Sequence, residues 1–450
     1  MENALRKNIL SEAQAKAACV CLTDYAGFCR EGEWTDCLES GERRFSGRVW
    51  SRAFAEALGK CGKVYVPKMQ ETVYIEEPIV LKSGGVLWVH PETRICLLPH
   101  TNTCMVKNAC ADSDGRDADI AVCGGIWTTL THDLFGKRNN GNTRGYSSKE
   151  DPLYGSHGVF LFRKAERIVL SGMTVTECAA FGVQMNSCYN FLVENVRFYA
   201  HKRDGIHLGG NVHCGEISNI SGHTNDDLVA LNAWDWNNYI MDYGDIGNIR
   251  VHDIFAERDQ FRLLAGRHAG KNCRVYNVTF SNVHGVDNVK MYGQPNTESL
   301  VSCGREDISE GQGELENISF CGFELAHPRF DLGPAVAELG LNAKNLTFSG
   351  VSVGCAEEEF TKRGYSFLYV GPKSQTLKVD AARPETWLEL FEPDAVCTAQ
   401  NVRIEGLRFA SGENKNSALR EGAMKVNTNY PASTPRGGNG RGKTENVSIR

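Results

Sequence analysis

Between His201 and Trp236 the chain reads HKRDGIHLGGNVHCGEISNISGHTNDDLVALNAWDW and places Asp204 23 residues before Asp227, the second member of the pair Asp226–Asp227. Both acid sites run into a short apolar alternation, GIHL and then LVAL. Carboxylates gathered on one face cost free energy, because like charges disfavour one another's ionised form. Such a group suits chemistry in which one acid holds a proton and another has given it up, the condition for acid/base catalysis. A structural reading stands beside this one: Asp before Gly and Asn-Asp pairs are ordinary corner residues. The shared spacing of all three, rather than any one of them, favours the chemical reading.

Several neighbours carry side chains suited to holding a substrate beside those acids. Trp234 and Trp236 in AWDW offer aromatic faces that pack well on sugar C–H surfaces, and Asp235 between them would accept from a hydroxyl. Arg203, Arg262 and Lys290 are the nearby cations, and Gln184 lies one coil ahead of Asp204. His207 falls within GIHL on the side of Gly205, and His223 precedes the acid pair. Each has a plainer alternative: indoles fill cores, cations cover surfaces, and histidines satisfy internal hydrogen bonds.

A repeat sets where these residues stand. Gly158, Gly182 and Gly205 open GVFLFRKAERIVLSGMTV, GVQMNSCYNFLVENVRF and GIHLGGNVHCGEISNIS at offsets of 24 and 23 residues, and LVALNAWDW begins 23 later at Leu228. Each unit holds two or three short strands, too few to bury a core alone, so each must stack on its neighbours. Leucine-rich repeats have a similar period but need leucines at fixed places, which this sequence lacks. The expected fold is therefore all-β, a single-stranded right-handed parallel β-helix with an N-terminal capping helix. Asp204 and Asp227 then stand on successive rungs roughly 4.8 Å apart, with Asp226 displaced to the strand's edge. Further units follow at IRVHDIFAERDQFRLLAG, CRVYNVTFSNVHGVDNVKMYG, LENISFCGFELA, NLTFSGVSVG and VRIEGLRFASG, with insertions near 233–246, 292–313 and 356–400.

The ends are less regular. Residues 1–45 form an irregular segment, with a short helix expected over Leu10–Ala18 and a polar, Glu-rich loop after it. Near Arg48, VWSRAFAEALGKCG places Trp50, Phe54 and Leu58 at helical spacing, with Gly59 and Gly62 to end the helix and KVYVP following as a strand. The β-helix is expected over 46–430, including a polar loop from about Thr131 to Gly155. Residues 431–450 are expected as a tail rich in Gly, Pro and Arg, although TENVSIR at its end has the pattern of a last strand.

Composition narrows the function. A formal net charge of −6 provides no broad basic field, which argues against nucleic acid or an anionic membrane surface as partner. The N-terminus lacks an apolar h-region and no stretch approaches 18 uninterrupted apolar residues, so a cytoplasmic location is expected. The 17 cysteines stand mostly singly in apolar runs, as at Cys96, Cys123, Cys178, Cys188 and Cys321, where a thiol packs as a small hydrophobe in a reducing compartment. Cys19 and Cys21 form only C-x-C, without a second pair at metal-ligand spacing, and neither metal nor cofactor is expected.

On these residues the chain resembles the pectin-lyase-like β-helix proteins, and most closely glycoside hydrolase family 28, the polygalacturonase family, over roughly Arg48 to Gly293. At the front the resemblance rests on the helix, KVYVP, PIVLKSGGVLWVHPETRICL and VCGGIW in that order. In the middle it rests on KRDGIHL, similar to the family's NTDGID, and on TNDDLVAL, similar to its GDD. The resemblance implies an inverting hydrolytic site formed by Asp204, Asp226 and Asp227. The family's GHG turn is missing, and RDQFRLLAG stands on the corresponding coil, so Arg262, Asp259 or Gln260 is expected to fill its space. DNVKMYG is similar to the RIK strand, with Lys290 kept and Asn288 in place of arginine. In the family that pair is associated with a sugar acid's carboxylate, so its loss points away from polygalacturonate.

An inverting pair usually stands 6.5 to 9.5 Å apart, wider than one rung. Asp204 and Asp227 are thus expected to hold one water jointly, and Asp226 to act as general acid, its negative neighbours raising its proton affinity. The expected function is hydrolysis of imported oligosaccharides, from the chain end. The alternatives are a β-helix polysaccharide lyase or transferase, with acids holding Ca²⁺ and Lys290 or an arginine taking a proton, and a non-catalytic carbohydrate-binding β-helix.

Overall fold

The computed structural model describes residues 2–38, 41–98, 101, 103–129, 158–178, 180–234, 242–292, 313–329, 335–371, 396–410, 424–426 and 441–450. The chain divides into two compact units, one of Met1–His207, Cys214–Asp226 and Asn238–Ile240, the other of Leu208–His213, Asp227–Asn237 and Met241–Arg450.

In the first unit each coil contributes to three walls of parallel strands, and each wall is a column of apolar side chains. One column runs Val64, Leu87, Val122, Leu170, Val193 in direct register. A second runs Val73, Ile95, Trp127, Val175, Phe198, and a third Ile79, Val106, Phe160, Val183. All of these are buried. The sequence periodicity arises here: period-2 alternation sends one set of residues inward, and the return of the chain one coil later places a similar residue above each.

The second unit repeats the construction. Val251, Phe280, Phe320, Phe348 and Ile404 form one column, and Phe261, Val289, Ala337, Leu368 and Met424 another. The rings of Phe280, Phe320 and Phe348 stack at centroid separations of 4.6 and 4.9 Å. Offset stacking of this kind adds to simple burial.

The corners are held by asparagines. Asn248, Asn277, Asn317, Asn345, Asn401 and Asn446 all have positive φ, and each later amide donates to the side-chain oxygen of the one before it. Their sequence separations are 29, 40, 28, 56 and 45 residues, so insertions of very different length leave this corner unmoved. Asn is one of the few side chains that tolerates the left-handed region and can bond along the stack. In the first unit Asn219 donates to Asn195 in the same way.

Two expectations about the ends are corrected. The Glu-rich stretch is not a loop: Arg30–Leu38 and Gly41–Val49 pair as an antiparallel hairpin. Residues 441–450 are not a tail either, because Arg441–Ile449 runs parallel to Val396–Glu405, with Val447 opposite Val402 and Ile449 opposite Ile404. The TENVSIR alternation outweighs the Gly/Pro-rich composition before it. The helix Glu12–Ala18 has a capping box between Ser11 and Gln14. The helix Ser51–Cys61 ends on Gly62, whose φ of 71° is the left-handed conformation a helix C-terminus favours. The loop expected near Thr131 to Gly155 lies outside the described residues. No described helix is long and apolar enough to cross a membrane.

Candidate active site

The first unit supplies Asp204 and Asp226. Asp204 opens the turn before the strand Ile206–Leu208, and its backbone carbonyl accepts from Gly182 N–H at 2.9 Å. A side chain at 182 would place its Cβ 2.6 Å from the Gly205 carbonyl oxygen, so glycine lets the coil carrying Asp204 approach this closely. A carboxylate oxygen of Asp204 and one of Asp226 lie within 4.8 Å of each other. Asp204 is 2 % exposed, while the Asp226 side chain is 21 % exposed and presents the accessible carboxylate of the two.

Each of these acids is gripped. His207 Nδ1 lies 2.6 Å from Asp204 Oδ2, an arrangement in which the imidazole N–H donates to the carboxylate. Arg203 Nη1 donates to Asp226 Oδ2 at 3.1 Å. Besides the negative neighbours expected to raise its proton affinity, Asp226 therefore has a guanidinium beside it, which favours the ionised form. The ring of Phe181 connects the two grips. It stacks on His207 at 4.2 Å and 15°, and the Arg203 guanidinium lies 4.9 Å from its centroid. His201 supports the turn by its Nε2 contact with the Asp204 carbonyl oxygen at 2.9 Å, and burial pushes its pKa down to about 4.

The second unit supplies Asp227, fully buried at the start of the strand Asp227–Asn232. Its Oδ2 lies 2.7 Å from Arg262 Nε and its Oδ1 3.9 Å from Lys290 Nζ. Register explains the convergence: Asp227 lies opposite Gln260, Arg262 opposite Lys290, and a bulge follows Asp227. Arg262 therefore stands beside an acid, with its Nε against Asp227. Lys290 in turn lies opposite Glu338, which is 1 % exposed.

The remaining candidates fall elsewhere. Trp234 is 1 % exposed, packing near Tyr243 at 6.4 Å, and is not a sugar platform; Ala233 N–H bonds the Leu264 carbonyl and carries the chain inward at that point. Gln184 is also fully buried, because both faces of the strand Val183–Asn186 are covered, and so it offers no subsite contact. His223 Nε2 lies 3.0 Å from Asn225 Oδ1 at a partly exposed position. Asp235 and Trp236 lie outside the described residues.

Sequence reasoning missed Phe181 and Asp287. The latter had a readable signal: DQFR at 259–262 and DNVK at 287–290 repeat an acid three residues before a cation on successive coils. Asp259 and Asp287 are 4 % and 3 % exposed. Burial pushes the Asp287 pKa up to about 6, against the pull of Arg258, Arg329 and His327 and with a further push from Asp259. An acid whose folded pKa is raised lends stability that is complete below its unfolded value of 3.8 and lost as pH rises through about 6. Asp287→Asn is accordingly expected to match the native chain in stability near pH 4 and to exceed it by about 2–3 kcal/mol above pH 6. Urea unfolding of both proteins at pH 4, 5 and 6.5 measures the difference.

These stacked coils define a parallel β-helix of the pectin-lyase-like kind. Among solved structures, the chain is similar to a hyperthermoactive exopolygalacturonase from Thermotoga maritima, with a TM-score of 0.50 and 12 % identity over 99 % of this chain and 96 % of that one. It is also similar to a family 28 exopolygalacturonase from Yersinia enterocolitica (TM-score 0.48, 10 % identity, covering 93 % and 84 %). A third similarity is to PfbA, a surface adhesin of Streptococcus pneumoniae (0.44, 13 %, 87 % and 91 %). No protein-family model and no curated protein matches the sequence. At such identities the likeness is one of fold.

Proposed function

We propose that the chain is a glycoside hydrolase that cleaves O-glycosidic bonds of oligosaccharides, acting from the chain end with inversion. The observation that carries the hydrolytic part of this reading is the approach of the Asp204 and Asp226 carboxylates to within 4.8 Å, with Asp226 the accessible one of the two; this is narrower than the usual inverting spacing, and inversion is the outcome that the anomer analysis tests. Asp226, the accessible acid, gives a proton to the leaving glycosidic oxygen. Asp204 holds the water that attacks the anomeric carbon and takes its proton. Asp227, next in the chain after Asp226, supports that chemistry as a charged carboxylate beside Arg262 and Lys290. Thiols that burial pushes up to about 12, Cys123 and Cys178, are packing groups and accord with a reducing, cytoplasmic setting in which imported fragments are the substrate.

That Asp204, Asp226 and Asp227 are each held by an imidazole or cationic partner favours a second reading, a glycan-binding coil without turnover. Incubation with a panel of plant and host oligosaccharides, followed by reducing-end and anomer analysis, separates them. Single sugars released from one end with inverted configuration are expected. An unsaturated sugar would replace hydrolysis by elimination, and binding without any product would leave the second reading.

A further inference from the structure

We propose that Phe181 is a positioning residue that holds Arg203 and His207 together, and through them sets the relative placement of the Asp226 and Asp204 carboxylates. The inference rests on the hydrolase reading above and deepens it. Its basis is a chain of four contacts: Asp226 Oδ2 to Arg203 at 3.1 Å, Arg203 to the Phe181 ring at 4.9 Å, that ring to His207 at 4.2 Å, and His207 to Asp204 Oδ2 at 2.6 Å.

Each contact has a physical reason. A guanidinium over an aromatic face is attracted by the ring's quadrupole, the more so when water is excluded, and the Arg203 side chain is only 7 % exposed. An imidazole lying parallel to the same ring, 2 % exposed, has its plane fixed and so its Nδ1 direction fixed. Arginine has many rotamers, and one partly exposed carboxylate does not choose among them alone. One rigid ring restricts both donors at once, and it is itself locked in place by Gly182 next to it, whose N–H bonds the coil carrying Asp204. Among the described residues, the charged or titratable groups around this ring include Arg203, His207 and, beyond them, Asp226, Asp204 and His201. His201, its pKa pushed down to about 4, is neutral across the working range.

Loosening the ring affects both ends of the chain in one direction. Asp226 freed from Arg203 keeps its proton to higher pH, so the basic limb of the activity profile moves up. Asp204 freed from the His207 N–H ionises at higher pH, so the acid limb moves up as well. A residue that merely fills space would lower the amplitude and leave both limbs where they were.

The experiment compares pH profiles of kcat/KM for the native chain, Phe181→Leu, Phe181→Tyr and Arg203→Met on an oligosaccharide that it turns over. Phe181→Leu is expected to lower kcat by roughly tenfold to a hundredfold, as small misplacements of reacting groups do, and to shift both limbs to higher pH. Phe181→Tyr is expected to restore the native profile, and Arg203→Met to move the basic limb alone. If Phe181→Leu does not fold, coincident native profiles for Phe181→Tyr and Arg203→Met overturn the proposal. Native limbs for a folded Phe181→Leu overturn it too. Should Asp226→Asn leave turnover intact, the assignment of Asp226 as general acid fails, and should no oligosaccharide be turned over, the hydrolase reading itself fails; both results are distinct from either.

Discussion

Replacing Asp226 by Asn is expected to slow hydrolysis of a natural oligosaccharide about a thousandfold, within the range that a positioned proton donor supplies. The leaving group in such a substrate is a sugar alkoxide, which departs slowly unless protonated as the bond breaks. An aryl glycoside with an acidic phenol leaves without that help, so the variant is expected to retain most of its rate there. Asp204→Asn removes the carboxylate proposed to hold the water instead, and should lose activity on both substrates alike. The contrast between the two substrates assigns the roles, which a loss of activity alone cannot do. Stability should change little in Asp226→Asn, since the amide oxygen can still accept from Arg203 and the side chain is partly exposed. Melting curves recorded beside the kinetics separate chemistry from folding. Equal losses on both substrates would remove Asp226 as the proton donor.

The parts of this arrangement that follow from periodicity were legible in the sequence. Offsets of 24 and 23 residues at Gly158, Gly182 and Gly205 came within one residue of the register, which sets Phe160 on Val183 at an offset of 23, and the D-G-I of KRDGIHL marked the turn on which Asp204 stands. Alternation also says which face a residue takes. It does not say what covers that face. For this reason Trp234 and Gln184 were expected at a substrate and are buried. Contacts between coils are invisible for a related reason: the partner of Arg203 depends on how neighbouring rungs align in three dimensions, and nothing in AAFGV distinguishes Phe181 from a core aromatic. The asparagine corner, by contrast, was written plainly in ENV, GNI, YNV, ENI, KNL, QNV and ENV, and only its irregular spacing concealed it. A repeat interrupted by insertions is better traced by the residue that must sit at its corner than by its length.

Replacing Arg262 by Met is expected to lower stability by about 3 kcal/mol, the lower end of what breaking a buried ion pair costs. Asp227 is fully buried, and Arg262 at 2.7 Å is the nearer of the two cations described beside it, Lys290 lying at 3.9 Å. Most of the loss is the cost of a poorly compensated charge rather than the strength of the lost contact. The test is therefore a double-mutant cycle. Asp227→Asn in the Arg262→Met background removes the charge and should recover a large part of the stability, so that the double variant unfolds at higher urea than Arg262→Met alone. Additive losses would mean that the pair contributes through packing, with the arginine stem as the important part. Activity gives an opposite signature: under the proposed mechanism Asp227→Asn is not rescued by any change at 262, because the charged carboxylate is gone. A stability that recovers while turnover does not would separate the ion pair that maintains Asp227 from the chemistry that Asp227 performs.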